Sequence, residues 1–170
     1  MTGPESAARE FVLTEAGFAQ VTTIDRRGFP VVRTMTAFLA DGWAVDLVQR
    51  RGHRRIAQWR RDPHTTVTWV GGPAPGATNE RPHVFDLSLL PPRVVSIRGT
   101  AEEMPPEWTV RRYLEELDRL RARGGTRAPV RSREQAEDEL VGVRIHPVRV
   151  RLEGFGAGAE SFTIDCREEL

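Results

Sequence analysis

Six runs of strand length, separated by turn signals, constrain this chain more than any other feature. They are Phe18 to Asp25, Val31 to Leu39, Trp43 to Val48, Thr65 to Val70, Arg93 to Glu102 and Val141 to Glu153. All are rich in the β-branched and apolar residues that suit a pleated surface. Asp25-Arg26-Arg27-Gly28 and Ala40-Asp41-Gly42 carry turn residues between the first three runs, which predicts consecutive hairpins. A meander of this kind with few helices predicts a closed or partly closed antiparallel barrel.

Three helical segments flank the strands. Pro4 to Gly17 places Ala8, Phe11, Val12 and Glu15 at helical spacing, with Pro4 near the start and Gly17 as a stop. Trp108 to Arg123 carries Trp108, Val110, Leu114, Leu117 and Leu120, with Glu115 and Glu116 set against Arg119. That pattern predicts an amphipathic helix packed across the barrel. Ser132 caps a further short helix ending near Leu140, after an arginine-bearing linker from Gly124 to Arg133. Gly71 to Pro92, rich in Gly and Pro around Val84 to Leu90, is long for a hairpin connection and reads as a lid or partner-facing loop. Residues 1–170 are therefore expected to form one domain, with a loop insertion at 71–92 and a helical insertion at 105–140. No internal repeat occurs.

Composition excludes several classes of function. With 29% charged and 39% hydrophobic residues in 170, the chain is globular and long enough for a proper core. All twenty-five of its basic residues are arginine, so no lysine nucleophile or Schiff base is available. The single cysteine, Cys166, excludes an internal disulfide and a thiolate metal cluster. A formal net charge of +1 argues against a broad nucleic-acid surface. No long apolar run or signal-like start appears, so a cytoplasmic protein without a membrane span is expected.

The arginines are unevenly placed. Between Leu47 and Pro63 stand Arg50, Arg51, Arg54, Arg55, Arg60 and Arg61. Gly52 allows a turn after the strand, and Ile56 with Trp59 gives the spacing of a short helix that Pro63 ends at Asp62. Arg50, Arg51, Arg54 and Arg55 then crowd the helix N-terminus, where orphan N–H groups and the macrodipole already favour an anion. Cations there are unfavourable until an anion joins them, and a guanidinium fork matches phosphate oxygens. A solvated basic face is the competing reading. Arg60 and Arg61, at the helix C-terminus, are ordinary dipole complements.

Gly28-Phe29-Pro30-Val31-Val32-Arg33-Thr34-Met35, followed by the Arg54-Arg55 helix and Asp62-Pro63, resembles the pyridoxamine 5′-phosphate oxidase-like, FMN-binding split β-barrel family. The likeness runs over about residues 10 to 103 and more weakly over 141 to 156. It implies a mainly β fold, an antiparallel Greek-key split β-barrel of about six or seven strands with short flanking helices. By this resemblance Arg33 reaches the FMN phosphate. Arg55 takes the place of the family's usual lysine, eight positions before the helix-ending proline, with Arg54 beside it. Thr34, Met35 and Thr36 would lie along the flavin ring, and Gln49 and Arg50 would approach its phosphate side. Gly99 fits a later barrel strand.

Departures narrow the expectation. Phe38 stands five residues beyond Arg33, where the vitamin-phosphate oxidases carry lysine. The chain end Arg149 to Gly156 has neither their C-terminal tryptophan nor their Arg-x-His pair. The resemblance therefore implies a flavin fold rather than that reaction: a flavin (FMN)-binding oxidoreductase acting on a small-molecule substrate. Alternatives are a deazaflavin-dependent reductase and a non-enzymatic flavin- or haem-binding protein. The haem branch of the family shares a run like Gly154-Phe155-Gly156 but needs an iron ligand from His53, His64, His83 or His146. The resemblance also implies a homodimer with the cofactor at the interface. Strand alternation points Asp46 to solvent, and Trp59 and Trp69 read as core.

Overall fold

A computed structural model of the chain describes residues 3–79, 89–122, 124–125, 130–156 and 161–166. The lead-in helix α1 (Pro4–Glu10) runs on through a π-turn at Phe11–Glu15. Strands β1 (Ala19–Ile24), β2 (Pro30–Met35), β3 (Phe38–Leu39) and β4 (Val45–Arg50) precede helix α2 (Arg54–Arg61). Strands β5 (His64–Gly71) and β6 (Arg93–Glu103) lead to helices α3 (Pro106–Ala122) and α4 (Arg133–Glu139), then β7 (Leu140–Glu153) and β8 (Ser161–Asp165). The middle of the expected 71–92 insertion, residues 80–88, lies outside the described residues together with His83, as do residues 126–129 of the linker.

The hydrogen-bonded order is β2-β1-β5-β6-β7-β4-β3, antiparallel throughout, with β8 on β7. β2 and β3 stand at opposite ends of that order, yet only Thr36 and Ala37 separate them in the chain. Met35 and Phe38 are three Cα steps apart, a reach of at most about 11 Å, so the sheet has to curl until its ends come together. The result is a split barrel, mainly β, with flanking helices. The expected single strand from Val31 to Leu39 is thus two strands serving different halves. Trp43, expected in a strand, instead sits at φ 64° in the turn with Gly42 at φ 60°. That left-handed geometry is rare for a bulky side chain. It is held by burial of the indole, whose Nε1 donates to Glu5 at 3.1 Å.

Alternation sends Val21, Leu47, Val67, Trp69, Val95, Ile97, Ile145 and Leu152 into one core. Trp59 joins from α2 with Ile56, so both tryptophans expected in the core are there. The π-turn inserts Phe11 so close to Gly71 that a Cβ there would lie 2.4 Å from its ring. Gly99 is equally constrained. At the bulge where β6 shifts register on β7, an added Cβ would lie 2.1 Å from the His146 carbonyl oxygen.

The helical insertion is fastened by charge. Asp46 was expected to face solvent; it is 2% exposed and lies opposite Phe38 on β3 and Arg144 on β7. Alternation places it on the outer face of β4, as expected, but α3 covers that face. Arg144 forks onto its carboxylate at 2.8 and 3.0 Å. Arg112 of α3, 8% exposed at its side chain, brings Nε within 3.0 Å of Asp46 and Nη1 within 2.6 Å of Glu116. The Arg112 Nε–H is misaligned for a hydrogen bond, so its contact with Asp46 is electrostatic. Ser132 caps α4 through a reciprocal box with Gln135, as its sequence position predicts.

Candidate cofactor-binding site

Arg33 reaches the site from β2, across from Val21 in the β1–β2 ladder. Its Nη1 donates to Thr23 Oγ1 at 3.0 Å and to Gln58 Oε1 at 3.1 Å. Thr23 is fully buried and itself donates to Gln58 at 2.8 Å. Both of these acceptors are neutral. They orient the guanidinium of Arg33 without compensating its charge.

Arg55 approaches from the first turn of α2, its Nη2 placed 3.0 Å from His53 Nδ1. Its Nε is buried without a hydrogen-bond partner. Burial, then the charge of Arg33, holds the Arg55 guanidinium below its ordinary range. Burial also lowers His53, followed by the charges of Arg55, Arg50 and Arg33. Four basic side chains from β2, β4, the following turn and α2 therefore share one field. No ion pair to a carboxylate is formed by Arg33, Arg50, Arg54 or Arg55 among the described residues.

The other arginines of this stretch are occupied elsewhere. Arg60 pairs with Glu103, and Arg61 donates to the Ile24 carbonyl. Arg51, placed by its sequence position near the anion site, turns instead to the C-terminus of α4. There it donates to the carbonyls of Asp138, Glu137 and Leu140 at 3.1, 3.2 and 3.0 Å, complementing the helix dipole.

Beside the cations lies a cavity of about 590 Å³, within the range of small-molecule and cofactor sites. Arg50 and His53 belong to its wall and so join it to the basic cluster. Thr36 and Ala37 of the β2–β3 link, Gln49 at the end of β4, and Tyr113, Glu116, Leu117 and Leu120 of α3 continue the lining. The Tyr113 hydroxyl accepts from the Arg131 backbone N–H at 2.9 Å. Its own proton has no acceptor among the described residues.

The structure divides the residues expected from sequence. Arg33, Arg50 and Arg55 converge, and Thr36, Gln49 and Arg50 line the cavity. Thr34, Met35 and Thr36 do not share a face. Met35 is packed in the core at 8% exposure, whereas Thr34 and Thr36 are exposed. Met35 therefore offers no side chain to a ring. Arg54 is exposed at the start of α2 and lies outside the cavity wall. Thr23 and Gln58 were not foreseen, and His53 enters the sequence reading only as a candidate iron ligand. Gln58 carried a usable signal, three residues after Arg55 and so on the same helix face.

No family model matches the sequence, and no curated protein does. Solved structures match the fold. A heme binding protein from Mycobacterium smegmatis superposes with a TM-score of 0.62 at 17% identity, over 98% of this chain and 59% of that one. A protein related to general stress protein 26, of the pyridoxinephosphate oxidase family, from Clostridium acetobutylicum gives 0.56 at 10% identity over 98% and 99%. An F420 reductase gives 0.56 at 17% identity over 81% and 91%. The chain has the pyridoxamine 5′-phosphate oxidase-like fold.

Proposed function

Proceeding from that fold, we propose that the chain is a flavin-binding oxidoreductase in which Arg33, Arg50 and Arg55 anchor the phosphate of FMN. The carrying observation is the buried Arg55 Nε, without a hydrogen-bond partner among the described residues, inside a group of cations that no described carboxylate balances. A phosphate supplies both missing elements: oxygens for the orphan donor and charge for the cluster. In the cavity Thr36 and Gln49 would offer the ring polar contacts, and Leu117 and Leu120 an apolar wall. Bound there, FMN supplies the electron transfer to or from a small-molecule substrate. The chain's own residues anchor, orient and shield it.

The anchor serves a deazaflavin equally, a reading that the likeness to an F420 reductase favours. The mass of the ligand that co-purifies separates the two. Haem fits these residues less well. Among the described residues His53 is the one histidine of the cavity wall, and it stands among cations with no second ligand beside it.

A homodimer belongs to the same reading. Phe18, Val32 and Val70 are 68, 57 and 56% exposed, and Val32 and Thr34 share the outward parity of β2. A second copy of the chain is the proposed cover for this face. Light scattering tests it, with Val32→Asp expected to shift the protein toward monomer.

Titration with FMN, followed by quenching of flavin fluorescence, tests the anchor. Arg55→Ala is expected to weaken binding by about 1.5–3 kcal/mol, roughly tenfold to a hundredfold, as for a lost charged hydrogen bond. Arg61→Ala is expected to leave it unchanged. Equal losses in the two variants would overturn the placement.

A further inference from the structure

We propose that His53 is a proton-coupled ligand of the phosphate, neutral in the free protein and taking up a proton as a phosphate dianion enters. This rests on the phosphate reading of the arginine cluster and adds to it a residue and a chemistry. A guanidinium nitrogen can only donate, so the 3.0 Å contact from Arg55 Nη2 requires a lone pair on His53 Nδ1. The ring is then neutral, with its one proton on Nε2. His53 is also the N-cap residue of α2 and makes no side-chain cap bond, so its ring is not committed to the helix.

The surrounding charges enforce that state. Burial disfavours a fourth cation first, and then the charges of Arg55 from α2, Arg50 from the end of β4 and Arg33 from β2. Across the cavity stand Tyr113, Glu116, Arg119 and Arg131. Glu116 is taken up by Arg112 and Arg119, and Arg131 by Glu139. No carboxylate bonds His53 among the described residues.

A phosphate dianion among these groups reverses the local field. An opposite charge within about 4–6 Å favours the protonated imidazole, and the helix N-terminus no longer faces uncompensated cations. The proton enters at Nδ1, the lone pair that faces Arg55, and the Arg55 guanidinium passes from His53 to the phosphate oxygens. The sign follows. His53 titrates higher in the complex than in the free protein, so binding draws in a proton between the two values and affinity rises as pH falls through that window.

The test is calorimetric titration of the full chain with FMN at about pH 7, where a phosphate monoester is mostly dianionic, in two buffers of different ionisation enthalpy. Riboflavin serves as the phosphate-free control, and inorganic phosphate as a second probe. Wild type is expected to take up more protons per FMN than His53→Gln, which can still accept from Arg55 but cannot titrate. Riboflavin should show no such difference. FMN binding with equal proton counts in the two proteins overturns the inference while leaving the phosphate site intact. Failure of both FMN and inorganic phosphate to bind overturns the site itself, and this inference with it. Should His53→Gln unfold, His53→Asn with its fold checked by thermal melting replaces it under the same criteria.

Discussion

Two arginine clusters lie within this one small barrel, and they are opposites. Around Asp46, Arg112 and Arg144 are partly or wholly withdrawn from water, but Asp46, Glu115 and Glu116 answer them. Around α2, Arg33 and Arg55 are drawn in toward neutral acceptors and one imidazole. A balanced cluster contributes position: it pins α3, one wall of the cavity, to β4 and β7. An unbalanced one carries a desolvation and repulsion cost that only an incoming anion removes. Burial of arginine alone therefore says little about function, whereas the presence or absence of a carboxylate says much.

The largest expected effect breaks the balanced cluster. Asp46→Asn leaves Arg112 and Arg144 facing each other without their shared anion and is expected to cost about 3–5 kcal/mol in a denaturant titration. A loss below about 1 kcal/mol would show the network to be ornamental.

Next comes the reverse experiment on the other cluster. Arg55→Ala is expected to leave the stability of the ligand-free protein unchanged or slightly raised, because it removes a desolvated like charge beside Arg33. The same variant loses FMN affinity. Destabilisation comparable to that of Asp46→Asn would erase the distinction between the clusters.

Ligand addition sharpens the contrast further. FMN at about a hundred times its Kd is expected to stabilise the wild type by about 2.7 kcal/mol, seen as a rise in Tm, and Arg55→Ala should lose most of that rise at the same concentration. The smallest effect is ionic. Raising salt from about 0.1 to 1 M shortens the screening length from about 10 to 3 Å. FMN affinity should fall while the Asp46 contribution, read as the stability difference from Asp46→Asn, stays nearly constant.

Much of this was legible in the chain. The six strand runs follow from period-two alternation and turn residues, and the resemblance supplied Arg33 and Arg55. What alternation does not encode is the layer above it. Asp46 has the outward parity expected of it, yet α3, remote in sequence, covers that face. The split between β2 and β3 was likewise hidden, because Val31 to Leu39 is continuous as a pattern and only closure of the sheet divides it. β8, Ser161–Asp165, is short and half-exposed, with too few apolar residues to stand out. The Asp46 and α2 clusters look alike as sequence. Counting which carboxylates reach which arginines requires the third dimension.

The Thr36–Ala37 link has a mechanical corollary. Among the described strands no ladder joins β2 to β3, so parting them breaks no interstrand bond, whereas parting any other neighbours breaks several. The barrel therefore has a seam, tacked by one covalent stitch whose two residues also line the cavity. A protease nick at that stitch would leave every pairing in place while letting the two unpaired strand edges swing apart, and exposed edges recruit other chains. Solubility of the nicked protein would report directly how much the stitch protects.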